Sequence, residues 1–156
     1  MRFFLDCEFN GFGGELISLA LVPQSKLLSP LYLVLTDVSE PIDPWVRLNV
    51  LTVLDDVPEG VSVQRVNRPT ASRLLGEYLR NDDTSETVIV ADWPDDIAYL
   101  CKLLITRPGE MVATNQFTKF EMARVDSYPT DLRGAVRHNA VWDAMALRSR
   151  LVGDRL

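Results

Sequence analysis

Apolar residues cluster in short blocks over the first third of the chain and recur at helical spacing later. Arg2 to Phe9, residues 15–22 and Leu31 to Leu35 are each short, apolar and bounded by Gly, Pro or Ser. That pattern predicts three strands joined as a meander. Gly11, Gly13 and Gly14 supply the first turn, and residues 23–30, with a proline at each end, hold the second. Asp43-Pro44 predicts a short helix, with Asp as cap and Pro in the first turn. Ala71, Leu74, Leu75, Tyr78 and Leu79 fall on one helical face. The β-branched run Thr87 to Ala91 predicts a buried strand, and a helix is expected over 94–104. A last short strand is expected at 111–114, residues 115–137 read as part helix and part loop, and a final helix runs from Ala140 to about Val152. Strands that come first as a meander and then alternate with helices imply an α/β domain, a mixed sheet covered by helices.

The chain has 156 residues without an internal repeat or linker, so residues 1–156 are expected to form one domain. Hydrophobic residues make up 47% and charged residues 24%, a balance that excludes a disordered chain. No apolar run is long enough to span a membrane, and Asp6 comes too early for a signal peptide. Cys7 and Cys101 are far apart, which fits reduced thiols in a cytoplasmic protein. The net charge of −6 argues against a protein that coats nucleic acid through phosphate contacts. It leaves open an enzyme that meets phosphate through divalent cations, because bound metal reverses the local sign.

Three sets of acids change the picture further. Asp6 and Glu8 lie two apart on a strand, so both leave the same face. Two carboxylates so close repel unless a proton or cation lies between them. They could be solvated at an edge, but Phe3, Phe4, Leu5 and Phe9 around them favour a metal site. Asp96 sits in a helix above Tyr99, Leu100 and Leu103, with Asp92 as an expected helix cap and Asp95 expected to face solvent. At the final helix, Asn139 is the expected N-cap, which makes His138 the residue before the cap and Asp143 the fourth residue in. Those two positions touch in a hydrophobic staple, and here they carry an imidazole and a carboxylate. Asp143 shares a face with Ala140, Ala144, Leu147 and Leu151, where an acid is costly unless bonded or bound to a cation. A surface histidine with an incidental acid one turn on is the plain alternative. Acids aimed inward from three parts of the chain suit a two-metal phosphodiester site, with His138 as base. Oxygen donors favour Mg²⁺ or Mn²⁺ over zinc.

The ordered set D-x-E at Asp6 and Glu8, D-x-x-Y-L from Asp96 through Tyr99 and Leu100, and H-x4-D at His138 and Asp143 resembles the DEDDh exonucleases. This superfamily includes the DnaQ proofreading subunit, RNase T and oligoribonuclease. The opening Arg2-Phe3-Phe4-Leu5-Asp6-Cys7-Glu8-Phe9, Glu15 to Leu19, and Pro44-Trp45-Val46-Arg47 with Val50-Leu51 look closest to small single-domain bacterial 3′→5′ exoribonucleases. The resemblance covers residues 2–151. It implies an RNase H-like fold with a mixed five-stranded sheet, an antiparallel meander plus parallel strands, flanked by helices. It implies two divalent cations, Mg²⁺ or Mn²⁺, one held by Asp6, Glu8 and Asp143 and the second bridged by Asp6, with Asp96 helping through water. His138 is then the general base, and 5′-mononucleotides leave one at a time from a nucleic-acid 3′ end. RNA is favoured over DNA as substrate, and a homodimer is the default assembly. Relatives usually carry an aromatic just before the second Asp, and often His-Asn four residues before it. This chain has Asp95 and Ala91-Asp92 there, which leaves Asp92 open beside Asp96.

Phe9 matches the position that packs on the terminal nucleotide, or it is plain core. Lys119, Arg124, Arg133 and Arg137 precede His138 and are candidates for the substrate backbone, Arg133 and Arg137 first. Trp45 could stack on a base, with a core anchor as the expected role. A 3′→5′ DNA exonuclease and a non-catalytic nucleic-acid-binding module are the competing functions.

Overall fold

The computed structural model describes residues 1–80, 86–114, 118–125 and 132–153. Its centre is a six-stranded mixed sheet. Strands β1 (Arg2–Phe9), β2 (Leu16–Pro23) and β3 (Leu31–Leu35) form the antiparallel meander. Helix α1 (Pro44–Asn49) follows, then β4 (Val63–Val66), which pairs parallel to β3. Helix α2 (Arg68–Arg80) leads through residues that lie partly outside the described set to β5 (Thr87–Ala91), parallel to β1. Helix α3 (Pro94–Leu104) precedes a small separate hairpin of β6 (Ile105–Arg107) and β7 (Glu110–Met111). Strand β8 (Thr118–Met122) closes the large sheet beside β5, and α4 (Ala140–Val152) ends the described fold. The order across the sheet is β4-β3-β2-β1-β5-β8.

Three expectations fail here. The sheet has six strands where five were implied. Of the strand expected at 111–114 only Met111 is in a strand, as the end of the return arm of the β6–β7 hairpin. Within 115–137, expected as part helix and part loop, residues 118–122 form β8, the last strand of the main sheet. The two unforeseen strands of the main sheet, β4 and β8, lie at its edges and are short and polar. Gln64 and Arg65 interrupt β4, and Lys119 and Glu121 interrupt β8. Edge strands need no two-sided burial, so they carry little apolar signal.

Strand β1 sits between β2 and β5, and its alternating residues feed two cores. Phe3, Leu5 and Cys7 join α2 and α3 through Leu75, Leu79 and Leu100. Phe4 joins α1 and α4 through Val46, Val141, Ala144 and Leu147. Asp6 and Glu8 share the parity of Phe4, so they emerge on the α4 side. The register of β1 with β2 slips between Glu8 and Phe9, leaving Ile17 as the extra residue. Such a bulge bends a strand pair and re-aims its side chains, here where the acidic pair ends. Phe9 has the parity of Cys7 and so lies on the other face, where it stacks on Tyr99 with centroids 4.9 Å apart.

The loops around this end are tied down by specific bonds. Gly14 approaches the backbone of Asn10 so closely that a Cβ would lie 1.8 Å from its carbonyl oxygen, so only glycine fits. The Asn10 side chain accepts from the Asp43 amide at 2.8 Å. Asp43 caps α1 as expected, accepting from the Trp45 amide at 2.8 Å. Among the described residues, no helix is long and apolar enough to cross a membrane.

Candidate active site

The sheet and helices bring five acids from three parts of the chain to one place. Single oxygens of Asp6, Glu8 and Asp143 lie within 4.8 Å of one another, and so do those of Asp6, Asp92 and Asp96. Asp6 belongs to both groups. Its side chain leaves the central strand between the N-terminal turns of α3 and α4. The groups open onto a cleft of about 500 Å³ whose lining includes Asp6, Glu8, Phe9, Trp45, Trp93, Asp96 and His138.

Each acid is placed by a local rule. Asp96 lies in the first turn of α3, on the stripe of Tyr99, Leu100 and Leu103, and is 2% exposed. The Cys7 thiol donates to its backbone carbonyl at 3.8 Å, which pins the turn to β1. Asp143 lies in the first turn of α4, on the face of the buried Ala140, Ala144 and Leu147; Leu151, the fourth member of that stripe, is exposed at the helix end. The helix itself is fixed from below. Asn139 caps it, accepting from the Val141 amide at 3.1 Å. The same amide side chain donates to the Val53 carbonyl, and the Trp142 indole donates to the Asp56 carbonyl, each at 2.7 Å.

Asp92 departs from its expected role. Helix α3 is capped at Trp93 without a side-chain bond, one residue later than a cap at Asp92 requires. The Asp92 carboxylate instead joins Asp6 and Asp96. Asp95 is half-buried and accepts from the Trp93 indole at 2.9 Å at the surface.

His138 and Asp143 meet, but not side chain to side chain. The His138 backbone amide donates to Asp143 Oδ2 at 3.1 Å. His138 has a φ of 62°, the left-handed region that non-glycine residues seldom occupy. That backbone turn spends the amide on the carboxylate and sends the imidazole into the cleft. There the Trp45 indole meets it edge-on, with centroids 4.8 Å apart. Trp45 is therefore not the core anchor expected of it; it is 51% exposed and walls the cleft. Phe9 combines both of its possible roles, packed on Tyr99 behind and lining the cleft in front. Arg133 and Arg137 are exposed and neither lines the cleft, although the Arg137 charge reaches His138 and Asp143. Lys119 is paired with Glu86, and Arg124 lies over Trp93.

The electrostatics are those of a cluster short of positive charge. Burial, with the charges of Asp96, Asp143 and Glu8 behind it, holds Asp6 well above the ordinary carboxylate range. Burial and then the charges of Asp143 and Asp96 push Glu8 up to about 8. Burial and the Asp92 charge push Asp96 to about 8. Burial raises Asp143 to about 7 even though the His138 amide opposes it. Asp96 Oδ2 and Asp143 Oδ1 are buried and accept no hydrogen bond from the described residues. Buried acceptors without donors, on acids that repel one another, are what a bound cation would satisfy. The donor set is all oxygen, so a hard divalent ion fits it.

A stability prediction follows from these shifts. In the unfolded chain the four carboxyls titrate near pH 4, so between that pH and about 8 the folded protein binds more protons. Its stability therefore falls as pH rises across that window. Divalent cation reverses the effect, because it needs the deprotonated groups. In thermal melts with chelator, the midpoint is expected to be lower at pH 8 than at pH 6. Saturating Mn²⁺ is expected to raise it by roughly 5–10 °C at pH 8 and by less at pH 6. A metal shift equal at the two pH values would separate the cations from these acids.

No protein-family model matches the sequence, and no curated protein matches it either.

Proposed function

We propose that the chain is a 3′→5′ exonuclease of the DEDDh kind on an RNase H-like fold, acting in the cytoplasm on single-stranded or short RNA. The observation that carries this reading is the pair of carboxylate groups sharing Asp6, with His138 on the same cleft. The meander followed by strands parallel to β1 supports the fold assignment.

Two divalent cations, Mg²⁺ or Mn²⁺, are the implied cofactors: Asp6, Glu8 and Asp143 would hold one, and Asp6, Asp92 and Asp96 the other. When bound they supply Lewis acidity and neutralise charge at the phosphate. The protein's own residues do the rest. Burial, aided by the Arg137 charge, lowers the His138 pKa, so the imidazole is neutral at pH 7 and free to accept a proton. It takes that proton from the water whose oxygen attacks the terminal phosphorus. The P–O3′ bond breaks and the leaving 3′-oxygen takes a proton from solvent water, which frees a 5′-mononucleotide and leaves a new 3′-hydroxyl. Phe9, braced by Tyr99, supports the terminal nucleotide.

The test is digestion of matched 5′-labelled RNA and DNA oligonucleotides with Mn²⁺ or Mg²⁺. The expected result is a ladder shortening from the 3′ end, faster on RNA and abolished by chelator. A faster ladder on DNA would move the substrate to the deoxy series. Intact strands in the presence of metal-stabilised protein would leave a non-catalytic module.

A further inference from the structure

The cleft beside the acids is walled by aromatic rings and, among the described residues, no lysine or arginine lines it. Phe12 is 96% exposed and Trp93 is 45% exposed, and both line it along with Trp45. A cleft built to grip a phosphate chain would invert that composition. With a net charge of −6, the protein as a whole gives a polyanion little to hold.

Trp93 is held unusually firmly for an exposed ring. Its indole N–H donates to Asp95 Oδ2 at 2.9 Å, which fixes the edge. The Arg124 guanidinium lies 4.7 Å from the ring centroid and donates to the Asp92 carbonyl at 3.1 Å, which fixes one face. Trp93 lines the cleft and is 45% exposed, one residue from Asp92 and three from Asp96, so the ring is held in place at the edge of the acid cluster. Ordering cost is already met, which is the condition for tight stacking. A core role is excluded by exposure, and a capping role by the absence of any side-chain cap on α3.

We propose that Trp93, backed by Arg124 and Asp95, is a stacking platform for an unpaired nucleobase of the strand entering the acid cleft. The inference rests on the exonuclease reading for the identity of the strand and deepens it. Affinity comes from base stacking more than from phosphate contact, so the substrate is a single strand whose bases are free to leave their own stack. A duplex end keeps its bases paired and cannot use the ring.

Binding is read separately from cleavage by quenching of tryptophan fluorescence in the full-length protein. The titrant is a short single-stranded RNA, with Ca²⁺ replacing Mg²⁺ to hold back turnover. Trp93→Phe should lose most of the quench but keep much of the affinity. Trp93→Ala should weaken binding by roughly 5–150-fold, the range expected for one base–aromatic stack. An RNA with one abasic nucleotide near its 3′ end should erase the difference between Trp93→Ala and the parent protein. Raising KCl from about 50 to 200 mM should weaken binding less than about tenfold, as for a strand held through one or two phosphates. Equal affinities of Trp93→Ala and parent for the base-bearing strand would overturn the proposal, and so would a quench that persists in Trp93→Phe or is absent in the parent. If the quench needs Trp93 but no oligonucleotide is digested with Mn²⁺, the platform stands and the exonuclease reading falls. Digestion with no dependence on Trp93 would keep the exonuclease reading and remove the platform.

Discussion

Asp6→Asn is expected to reduce turnover to below about one part in 10³, and to make the metal-free protein more stable at pH 8. The two effects share one cause. Among the described residues Asp6 is the acid common to both carboxylate groups, so its loss weakens both cation positions at once. Metal stabilisation of transition-state charge is worth several kcal/mol, and each ~1.4 kcal/mol is a factor of ten in rate. The amide keeps the shape of the carboxylate, so packing between α3 and α4 changes little. What it removes is a charge that burial and the neighbouring Asp96, Asp143 and Glu8 all disfavour. A site that raises stability when dismantled is one whose strain serves function. Asp92→Asn touches one group only and should cost less activity than Asp6→Asn. The measurements are single-turnover cleavage with Mn²⁺ and thermal melts with chelator. Near-normal turnover of Asp6→Asn would remove both carboxylate groups from the chemistry. A fall in metal-free stability would mean that Asp6 is a structural residue.

How far the sequence announced this arrangement depends on which physical signal each residue carried. Asp6 and Glu8 were legible because a strand has a period of two, and the structure keeps their parity. Asp96 and Asp143 were legible because an acid on an apolar helical stripe is an energetic anomaly. Asp92 was left open beside Asp96, because the residue before a helix looks the same whether its carboxylate caps an amide or meets another acid. Only the shift of the cap to Trp93 decided it. The exposure of Trp45, and Trp93 altogether, were hidden for a different reason. Large aromatics are usually buried on average, so an exposed one beside a site is visible only when its neighbours are known. Strands β1, β3 and β5 carry two-sided burial and were read to the residue, whereas β4 and β8 lie at edges and left no comparable mark. The expected imidazole–carboxylate contact at α4 was half right. The two residues meet, but a φ of 62° at His138 replaces the ring with the backbone amide.

That backbone turn makes His138 the place where activity and stability should separate most cleanly. His138→Ala and His138→Gly are both expected to cut turnover by about 10²–10⁴-fold, the usual worth of a positioned general base. Neither removes the backbone amide that donates to Asp143, so metal-dependent stabilisation should survive in both. Their stabilities should differ in the direction opposite to the ordinary rule. In extended or helical backbone glycine is the destabilising choice, but at φ 62° a side chain costs ~1–2 kcal/mol that glycine avoids. The Gly variant should therefore melt above the Ala variant. A further mark of the base is the acid limb of the pH–rate profile at saturating metal. With His138 lowered from its ordinary value by burial and by the Arg137 charge, that limb should lie below pH ~6.5 and vanish in both variants. Loss of the metal-induced shift in melting temperature would turn His138 from a base into a ligand. Retained turnover with the acid limb intact would give the proton to another group.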